Sequence, residues 1–319
     1  MRKILQKPYR LIVKVAKKIT NFDQVIAENQ NLKLDNSRLE KDSNFGWPNG
    51  HFYSPVHSID DLKAYDMVLN RSKRKFADAI PGFSEKRIVK EFNDVKKYFK
   101  DFDYPMEDDG KSRFYSKNIS LSLMDSLVIF SMIMKNKPKR IVEIGSGFSS
   151  GLMMEINERY FDNKIDITFI EPYPQLLYER MHKGDKSRYK VIPNGVQGVS
   201  LDVFKQLKKD DILFIDSTHV SKFNSDVNYE IFDILPELDK GVIIHFHDVL
   251  DGFEYPIYWL EKGWAWNEDY MLRAFLMNNN EYEVLLMTNY MTNHYPELLK
   301  KSYPKDDVLN GGALWIRKL

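Results

Sequence analysis

The stretch that decides the fold spans residues 140–151 and reads Arg140-Ile141-Val142-Glu143-Ile144-Gly145-Ser146-Gly147-Phe148-Ser149-Ser150-Gly151. A short β-branched run carries an acid two residues before a Gly-x-Gly, and an amphipathic stretch follows over residues 152–160. This pattern predicts a buried strand that turns tightly into a helix. Glycines let the backbone approach a ligand closely, and the first N–H groups of a helix lack internal partners. We therefore expect a ligand-binding turn here.

A second apolar run, residues 165–170, ends in Glu171, which is placed to hold the two hydroxyls of a ribose. Dinucleotide enzymes share the Gly-x-Gly, but Ser150 breaks their G-x-G-x-x-G spacing. The dinucleotide fingerprint does not require an acid at the position of Glu143. A ligand with a positive charge beside the loop, in contrast, would be attracted to the Glu143 carboxylate. S-adenosylmethionine (SAM), with its sulfonium and α-ammonium groups, therefore fits better than NAD(P). A glycine turn without any ligand is the third alternative.

Composition excludes several classes of protein. The chain has 319 residues, 43% of them hydrophobic, which is enough for a large core domain with an extension. Its 47 Lys+Arg and 46 Asp+Glu leave a net charge of +1, so a nucleic-acid partner is not expected. The absence of cysteine excludes disulfides, thiolate nucleophiles and Cys–Zn sites. No membrane span or signal peptide is recognised, so we expect a cytoplasmic protein.

Residues 1–42 differ from the rest of the chain in their pattern of charged and apolar residues. The first 20 hold seven basic residues and no acid, with apolar residues at roughly helical spacing. They predict a basic amphipathic helix that either lies on anionic lipid at the inner face of the membrane or packs its apolar face on protein. Val25, Leu32 and Leu39 recur at seven-residue spacing. This repeat predicts either a short coiled coil, and with it a homo-oligomer, or an exposed polar helix.

Residues 43–118 read as a loop followed by a helical cap. Gly and Pro punctuate the aromatic-rich residues 43–58, which predicts a loop that folds over a pocket or fills a gap in the core. His51 and Tyr53 in this loop are our candidates for closing the pocket on the substrate. Residues 59–110 alternate charged and apolar positions in helical fashion. A strongly apolar helix is predicted at 119–135, where the domain 119–319 begins.

From residue 139 onward the pattern alternates strands and helices. Strands are predicted at 140–145, 166–171, 189–193, 211–216, 241–247, 282–290 and 312–318. Helices are predicted at 149–160, 174–182, 200–207, 225–235 and 268–279. This alternation predicts an α/β fold, with a Rossmann-like, seven-stranded, mostly parallel sheet and a mainly helical N-terminal extension. The last two strands are close in sequence without a convincing helix between them, so a hairpin-like end with an antiparallel last strand is expected.

Ligands of an open α/β sheet bind outside the carboxyl ends of its strands, so the strand ends define the candidate site. For the SAM-binding part these residues are Glu143, Gly145, Ser146, Gly147, Glu171 and, at the adenine edge, Gln197. The ends of the fourth and fifth strands supply a polar cluster of Asp216, His219, His247 and Asp248. His245 shares that strand, and we expect it to be a satisfied core histidine.

This polar cluster suits the activation of a hydroxyl. A sugar hydroxyl does not ionise at neutral pH, so it needs a general base such as His or a divalent ion that lowers its pKa. His219 or His247 would be the base, oriented by Asp216. Alternatively, a divalent ion would be held by Asp216, His247 and Asp248. The carboxylates suit Mg²⁺, whereas a histidine ligand favours Mn²⁺ or another transition ion. Acids at strand ends also cap helices or hold loops, which is the structural alternative for Asp216 and Asp248.

An aromatic segment, residues 253–268, follows the fifth strand. Aromatic rings on a loop beside the site stack on a sugar or other ring, or they pack into a lid. Trp266 is our candidate for contact with the substrate.

The motifs together resemble a bacterial branch of the class I SAM-dependent methyltransferases. The resemblance covers roughly residues 45–319 and rests on 142–150, 169–174, 211–219 and 245–248, with 50–55 and 266–268 as further features. Members of this branch are often found with polysaccharide-modifying enzymes, which implies O-methyl transfer to a sugar or glycan hydroxyl. The chain is also similar to metal-dependent O-methyltransferases. In their catechol type, however, the fifth strand ends in Asp-Asn, and here the matching pair is His247-Asp248.

Two other classes of function remain alternatives. One is a catalytically inactive, membrane-associated scaffold that keeps the fold and recruits glycan enzymes through residues 1–42. The other is an oxidative enzyme, since cephalosporin hydroxylase-like proteins share similar motifs and a fold does not by itself assign a reaction.

Overall fold

The computed structural model describes residue 47, residues 49–304 and residues 309–319. The predicted basic helix and coiled coil of residues 1–42 lie outside the described residues. Contacts divide the chain into two compact units, Met1–Leu62 and Lys63–Leu319. The described part of the first unit contains one short helix, α1 (Ile59–Leu62). Within the described ranges, no helix is long and apolar enough to cross a membrane.

The second unit is built on a seven-stranded sheet. Its strands are β1 (Arg140–Ile144), β2 (Asp166–Ile170), β3 (Lys190–Ile192), β4 (Ile212–Ile215), β5 (Ile243–His247), β6 (Tyr282–Met287) and β7 (Ala313–Lys318). They stand in the order β3-β2-β1-β4-β5-β7-β6, and β7 runs antiparallel to both of its neighbours. Strands β1 to β5 pair in parallel. The predicted mostly parallel sheet with an antiparallel last strand is thus confirmed.

Helices accompany the strands throughout this unit. They are α2 (Tyr65–Ala79), α3 (Glu85–Val95), α4 (Leu123–Asn136), α5 (Phe148–Phe161), α6 (Gln175–Arg180), α7 (Asp185–Arg188), α8 (Asp202–Lys205), α9 (Asp226–Tyr229), α10 (Leu235–Glu237), α11 (Ile257–Glu261), α12 (Glu268–Leu276), α13 (Thr288–His294) and α14 (Pro296–Ser302). Every residue of β4 and β5 is buried, which requires cover on both faces of the sheet.

The connection between the last two strands differs from the prediction. Strand β6 ends at Met287, and two short helices, α13 and α14, occupy residues 288–294 and 296–302 of the segment before β7. The apolar residues Tyr290 and Met291 continue the run of β6 in sequence, but they are buried as part of a helix. A hairpin-like link was therefore wrong, although the two strands do pair with each other.

A buried arginine joins the segment before α4 to helices α5 and α7. Arg113 is 3% exposed, and its guanidinium lies 2.7 Å from Asp185 and 3.2 Å from Glu155. Its carbonyl oxygen lies so close to α5 that a Cβ on Gly151 would be only 2.4 Å away. The last glycine of the motif therefore serves helix packing and not a ligand. Removal of one partner of such a pair leaves an uncompensated buried charge, so this contact holds the segment before α4 against α5 and α7.

His245 lies in the core, as expected, but it is not satisfied. Its ring is fully buried and stacks on Phe214 at a centroid distance of 3.8 Å, with Trp315 at 4.6 Å. Both ring nitrogens lack a hydrogen-bond partner among the described residues. Burial, together with the charge of His247, lowers the pKa of His245 well below its ordinary value. The imidazole is therefore a neutral, unpaired polar group in an apolar layer, which costs stability.

Replacement of His245 by leucine should raise the free energy of unfolding by about 1 kcal/mol at pH 7, because two unpaired nitrogens are removed at similar volume. Below about pH 6.5 the unfolded wild type binds a proton at this histidine and the folded state does not. Wild-type stability should therefore fall relative to the variant as pH decreases, by at most about 1.4 kcal/mol per pH unit. Urea unfolding between pH 5 and 8 measures both effects, with His182→Gln at an exposed site as the control. A variant less stable than wild type at every pH would contradict this account.

Candidate active site

The glycine loop joins β1 to α5 and touches the end of β4. Gly145 has a φ of +79°, and a Cβ there would lie 1.8 Å from the carbonyl oxygen of Asp216. Only glycine therefore fits this position. Gly147 immediately precedes α5, and the nearest atom that a Cβ on it would meet is Leu176 Cδ2 at 3.6 Å. The loop is thus closed against Asp216 and more open beside the first turn of the helix.

Glu171 follows β2 and joins the first two strand ends. Its Oε2 accepts a hydrogen bond from the backbone N–H of Ser146 at 3.0 Å. Its Oε1 accepts one from the N–H of Tyr173 at 2.8 Å. The carboxylate is partly exposed and still has lone pairs available. Glu171 and Ser146 are therefore brought together, and the binding of a ribose by Glu171 stays a prediction.

Glu143 has a different environment from the one that the sequence suggested. It is completely buried in β1 and accepts hydrogen bonds from Ser149 at 2.6 Å and from Ser150. Burial raises its pKa to about 8, against the opposing effect of these hydrogen bonds. The carboxyl group therefore fixes the first turn of α5, and its negative charge at neutral pH is reduced. Its direct contact with SAM stays a prediction.

Gln197 lies in a short 3-10 turn, Val196–Gly198, after β3. Its side-chain nitrogen donates to the carbonyl oxygen of Asn224 at 2.9 Å. This bond ties the loop after β3 to the loop after β4. The role of Gln197 at the adenine edge stays a prediction.

His219, after β4, is buried and held by a residue that the sequence analysis left without a role. Its Nδ1 lies 2.7 Å from Oε2 of Glu268, while its Nε2 lies 3.6 Å from both Asp216 and Asp248. Burial alone would lower the pKa of His219, but Glu268, with Asp216 and Asp248, raises it to about 9. Glu268, and not Asp216 as predicted, therefore orients this imidazole. Its position after Trp266-Asn267 was the available signal, but an acid at a helix start reads as a capping residue.

His247 ends β5 between carboxylates on two sides. Its Nδ1 lies 3.6 Å from Asp216 and 3.5 Å from Asp248, and its Nε2 lies 3.9 Å from the buried Asp125. Burial would lower the pKa of His247, but the charges of Asp216 and Asp248 outweigh this effect and raise it to about 10. At neutral pH His247 is thus an imidazolium that balances the acids around it.

Asp248 reaches the cluster through a backbone turn. Strand β5 ends at His247, and Asp248 adopts a φ of +55°, in the left-handed region that few non-glycine residues occupy. His219 has a φ of +59°. Such conformations cost energy and are concentrated at functional sites. Burial raises the pKa of Asp248, but His247 and His219 more than offset it, so the carboxylate stays ionised.

The predicted metal ligands Asp216, His247 and Asp248 do come together. Even so, among the residues that the structure describes, no three His, Cys, Asp or Glu side chains form a group that could hold a metal ion. An imidazole must also lose its proton to bind a metal, whereas the raised pKa of His247 favours the protonated form. This arrangement does not fit a metal ion, so metal binding stays a prediction and enters no step below.

A cavity of about 390 Å³ adjoins the cluster and is lined by His247 and Asp248. Its other walls come from α2, from the segment after β5, from α13 and from the residues before β7. They combine carboxylates, carboxamides and aromatic rings, among them Asp251, Glu254, Asn289, Asn293, Tyr258 and Trp259. The sequence did not reveal that these acids and amides share one cavity, because they are far apart along the chain.

The predicted substrate residues lie in different places. The ring of Trp266 is 4.5 Å from the ring of His219, so Trp266 lies against the polar cluster of Asp216, His219, His247 and Asp248, and its contact with the substrate stays a prediction. His51 and Tyr53 lie in the first unit, where Trp47 stacks on His51 at 4.5 Å and Tyr53 is 67% exposed. Their part in closing the pocket stays a prediction.

Comparison with known proteins agrees with this geometry. Residues 142–249 match the model of a family described as "Methyltransferase domain". An uncharacterized protein from Archaeoglobus fulgidus is 32% identical over 168 residues, which cover 52% of this chain and 76% of that protein. The SAH-bound Podospora anserina methyltransferase PaMTH1 is 18% identical with a TM-score of 0.41, covering 81% of this chain and 96% of that one. TomG, an O-methyltransferase from Streptomyces achromogenes, is 12% identical with a TM-score of 0.36, covering 75% and 92%. The chain belongs to the same family as the Archaeoglobus protein and is a class I SAM-dependent methyltransferase.

Proposed function

We propose that this protein transfers a methyl group from SAM to a hydroxyl of a sugar or glycan. The observation that carries the proposal is the cavity, which is lined at one place by the His247–Asp248 pair and elsewhere by polar and aromatic side chains. Sugar hydroxyls both donate and accept hydrogen bonds, so they match carboxylates and carboxamides. The apolar face of a sugar ring packs on aromatic rings, which Tyr258 and Trp259 offer here.

The residues at the first two strand ends fit SAM. Glu171 is a partly exposed carboxylate at the position for a ribose diol, and Gly147 leaves room in front of the N-terminus of α5. When bound, SAM supplies a methyl group on a positively charged sulfur that an oxygen nucleophile displaces. The contribution of this chain is to bind the cofactor and the acceptor side by side and to remove the proton of the acceptor hydroxyl.

His219 is the residue that we assign to removal of that proton. The contact of Nδ1 with Glu268 fixes the ring, so Nε2 faces the acids and is the nitrogen that would accept a proton. Trp266 lies against the same ring and limits its movement. His247 instead lies among three acids, so we assign it the role of a fixed positive charge that keeps Asp248 ionised.

Glu171→Ala should weaken SAM binding by about ten- to a hundredfold, because hydrogen bonds to a charged carboxylate contribute about 1.5–3 kcal/mol. The loss should be equal for SAM and for S-adenosylhomocysteine, since both carry the ribose. Isothermal titration with each ligand measures it, and Glu179→Ala on the exposed side of α6 is the matched control. Unchanged affinity, or a loss confined to SAM, would refute the ribose assignment.

Methyl transfer should become faster as pH rises toward 9. His219 must be neutral to accept a proton, and its raised pKa leaves only a small neutral fraction at pH 7. We expect kcat/KM to increase about tenfold per pH unit below about pH 9 and then to level off. Radiolabelled SAM with a pool of methyl glycosides measures this profile.

The matching variant is His219→Gln, which should lower kcat by about 10²- to 10⁴-fold and remove the ionisation from the profile. His182→Gln, at an exposed position, should leave both unchanged. A wild-type profile that is flat between pH 6 and 9 would exclude His219 as the base.

A further inference from the structure

We propose that Asp251 binds a second hydroxyl of the acceptor sugar, at a subsite of the cavity separate from the hydroxyl that is methylated. This inference rests on the proposed function for the class of acceptor. Asp251 lines the same cavity as His247 and Asp248, yet it is 2% exposed and belongs to no part of the catalytic cluster.

The two oxygens of Asp251 have unequal surroundings. Oδ2 accepts hydrogen bonds from Asn293 Nδ2 at 3.0 Å and from His294 Nε2 at 3.0 Å, and Lys73 Nζ lies 3.6 Å away. Oδ1 is buried and has no hydrogen-bond partner among the described residues. An unpaired buried carboxylate oxygen is costly, and in the wall of a cavity a ligand can supply the missing donor.

The carboxylate is also held in a fixed orientation. The backbone N–H of Asp251 donates to Asn289 Oδ1 at 3.0 Å, and Asn289 Nδ2 donates to the carbonyl of Gly311 at 2.9 Å. One turn along α13, Asn293 donates both to Asp251 and to Asn289 Oδ1. This network fixes Asp251 before the ligand arrives, which lowers the entropic cost of binding.

The charge around Asp251 favours a neutral donor. Lys73 already provides a positive charge on the side of Oδ2. A hydroxyl completes the hydrogen bonding of Oδ1 without adding a second full charge, whereas an ammonium group would compete with Lys73. A ring hydroxyl bound at Asp251 would fix the sugar in the cavity and thereby determine which other hydroxyl lies beside Asp248, whose Oδ2 is 3.6 Å from Nε2 of His219. Asp251 is thus assigned a role in the position of methylation and not in the chemistry.

Asp251→Asn tests this role at almost constant volume. Three donors surround Oδ2, so the amide oxygen of the variant should take that place, and the amide NH₂ should replace Oδ1. The site then offers a neutral donor where the wild type has a charged acceptor. A hydroxyl that donates to Oδ1 loses its preferred partner.

The experiment is a double-mutant cycle with defined sugars. Binding to the full-length protein, in the presence of S-adenosylhomocysteine, is measured by saturation-transfer NMR for the methyl glycosides of glucose, galactose and mannose. The monodeoxy derivatives of the glycoside that binds best are then compared. We expect that removal of one particular ring hydroxyl weakens binding of the glycoside to wild type about tenfold. The same removal should weaken its binding to Asp251→Asn less than twofold. Asp239→Asn, at an exposed position on the surface, is the matched control and should behave as wild type.

The outcomes separate the subsite from the proposed function. If each monodeoxy derivative loses the same affinity for Asp251→Asn as for wild type, the subsite is overturned. The absence of binding by all three glycosides would also overturn it. A wild type that binds no SAM, or that binds it and methylates no glycoside, would instead overturn the proposed function. If Asp251→Asn melts far below wild type, Asn293→Leu replaces it in the cycle. That variant removes a donor that orients the carboxylate, and it should reduce the deoxy effect at the same sugar position.

Discussion

The contact between Gly145 and the carbonyl of Asp216 is the constraint on which the rest of the site depends. Strands β1 and β4 are direct neighbours, and the N–H of Asp216 continues their pairing by donating to Ile144 at 2.9 Å. No side chain fits between the two backbones at this point. The glycine loop and Asp216, the first acid of the polar cluster, are therefore fixed relative to each other by backbone alone. In the proposed function this contact would align the cofactor with the acceptor, and such alignment supplies much of the rate in methyl transfer.

Charge balance is the second constraint on the site. His219 and His247 both lie near the two acids Asp216 and Asp248. Each histidine also has one further acid on its other side. Glu268 lies beside His219, and Asp125 lies beside His247. Such a cluster is stable only as a whole, because removal of one partner leaves a buried charge without compensation. A protein that had become a mere scaffold would gain stability by replacing these groups with apolar ones. Their retention favours an active enzyme.

Much of the fold could be predicted because buried parallel strands are continuous apolar runs that end in glycine or an acid. Helices α13 and α14 could not be, since each has only seven residues and the first begins directly at the end of a strand. The proximity of Asp216, His219, His247 and Asp248 could be predicted from strand ends alone, while their catalytic role stays a prediction. The partner of His219 could not be predicted, because Glu268 is 49 residues away in sequence and only the packing of α12 brings it to the ring. Asp251 and Asn293, 42 residues apart, escaped prediction for the same reason.

Two buried side chains that carry unpaired polar atoms, His245 and Asp251, show why burial alone does not reveal function. His245 lies between Phe214 and Trp315 in the middle of the sheet, where no ligand can reach its nitrogens. Its unpaired state is only a cost, which the neutral form of the ring keeps tolerable. Asp251 lies in the wall of a cavity, with one oxygen held by three donors and the other unpaired. The same deficiency there is a binding capacity, because the cavity can bring the missing donor to it.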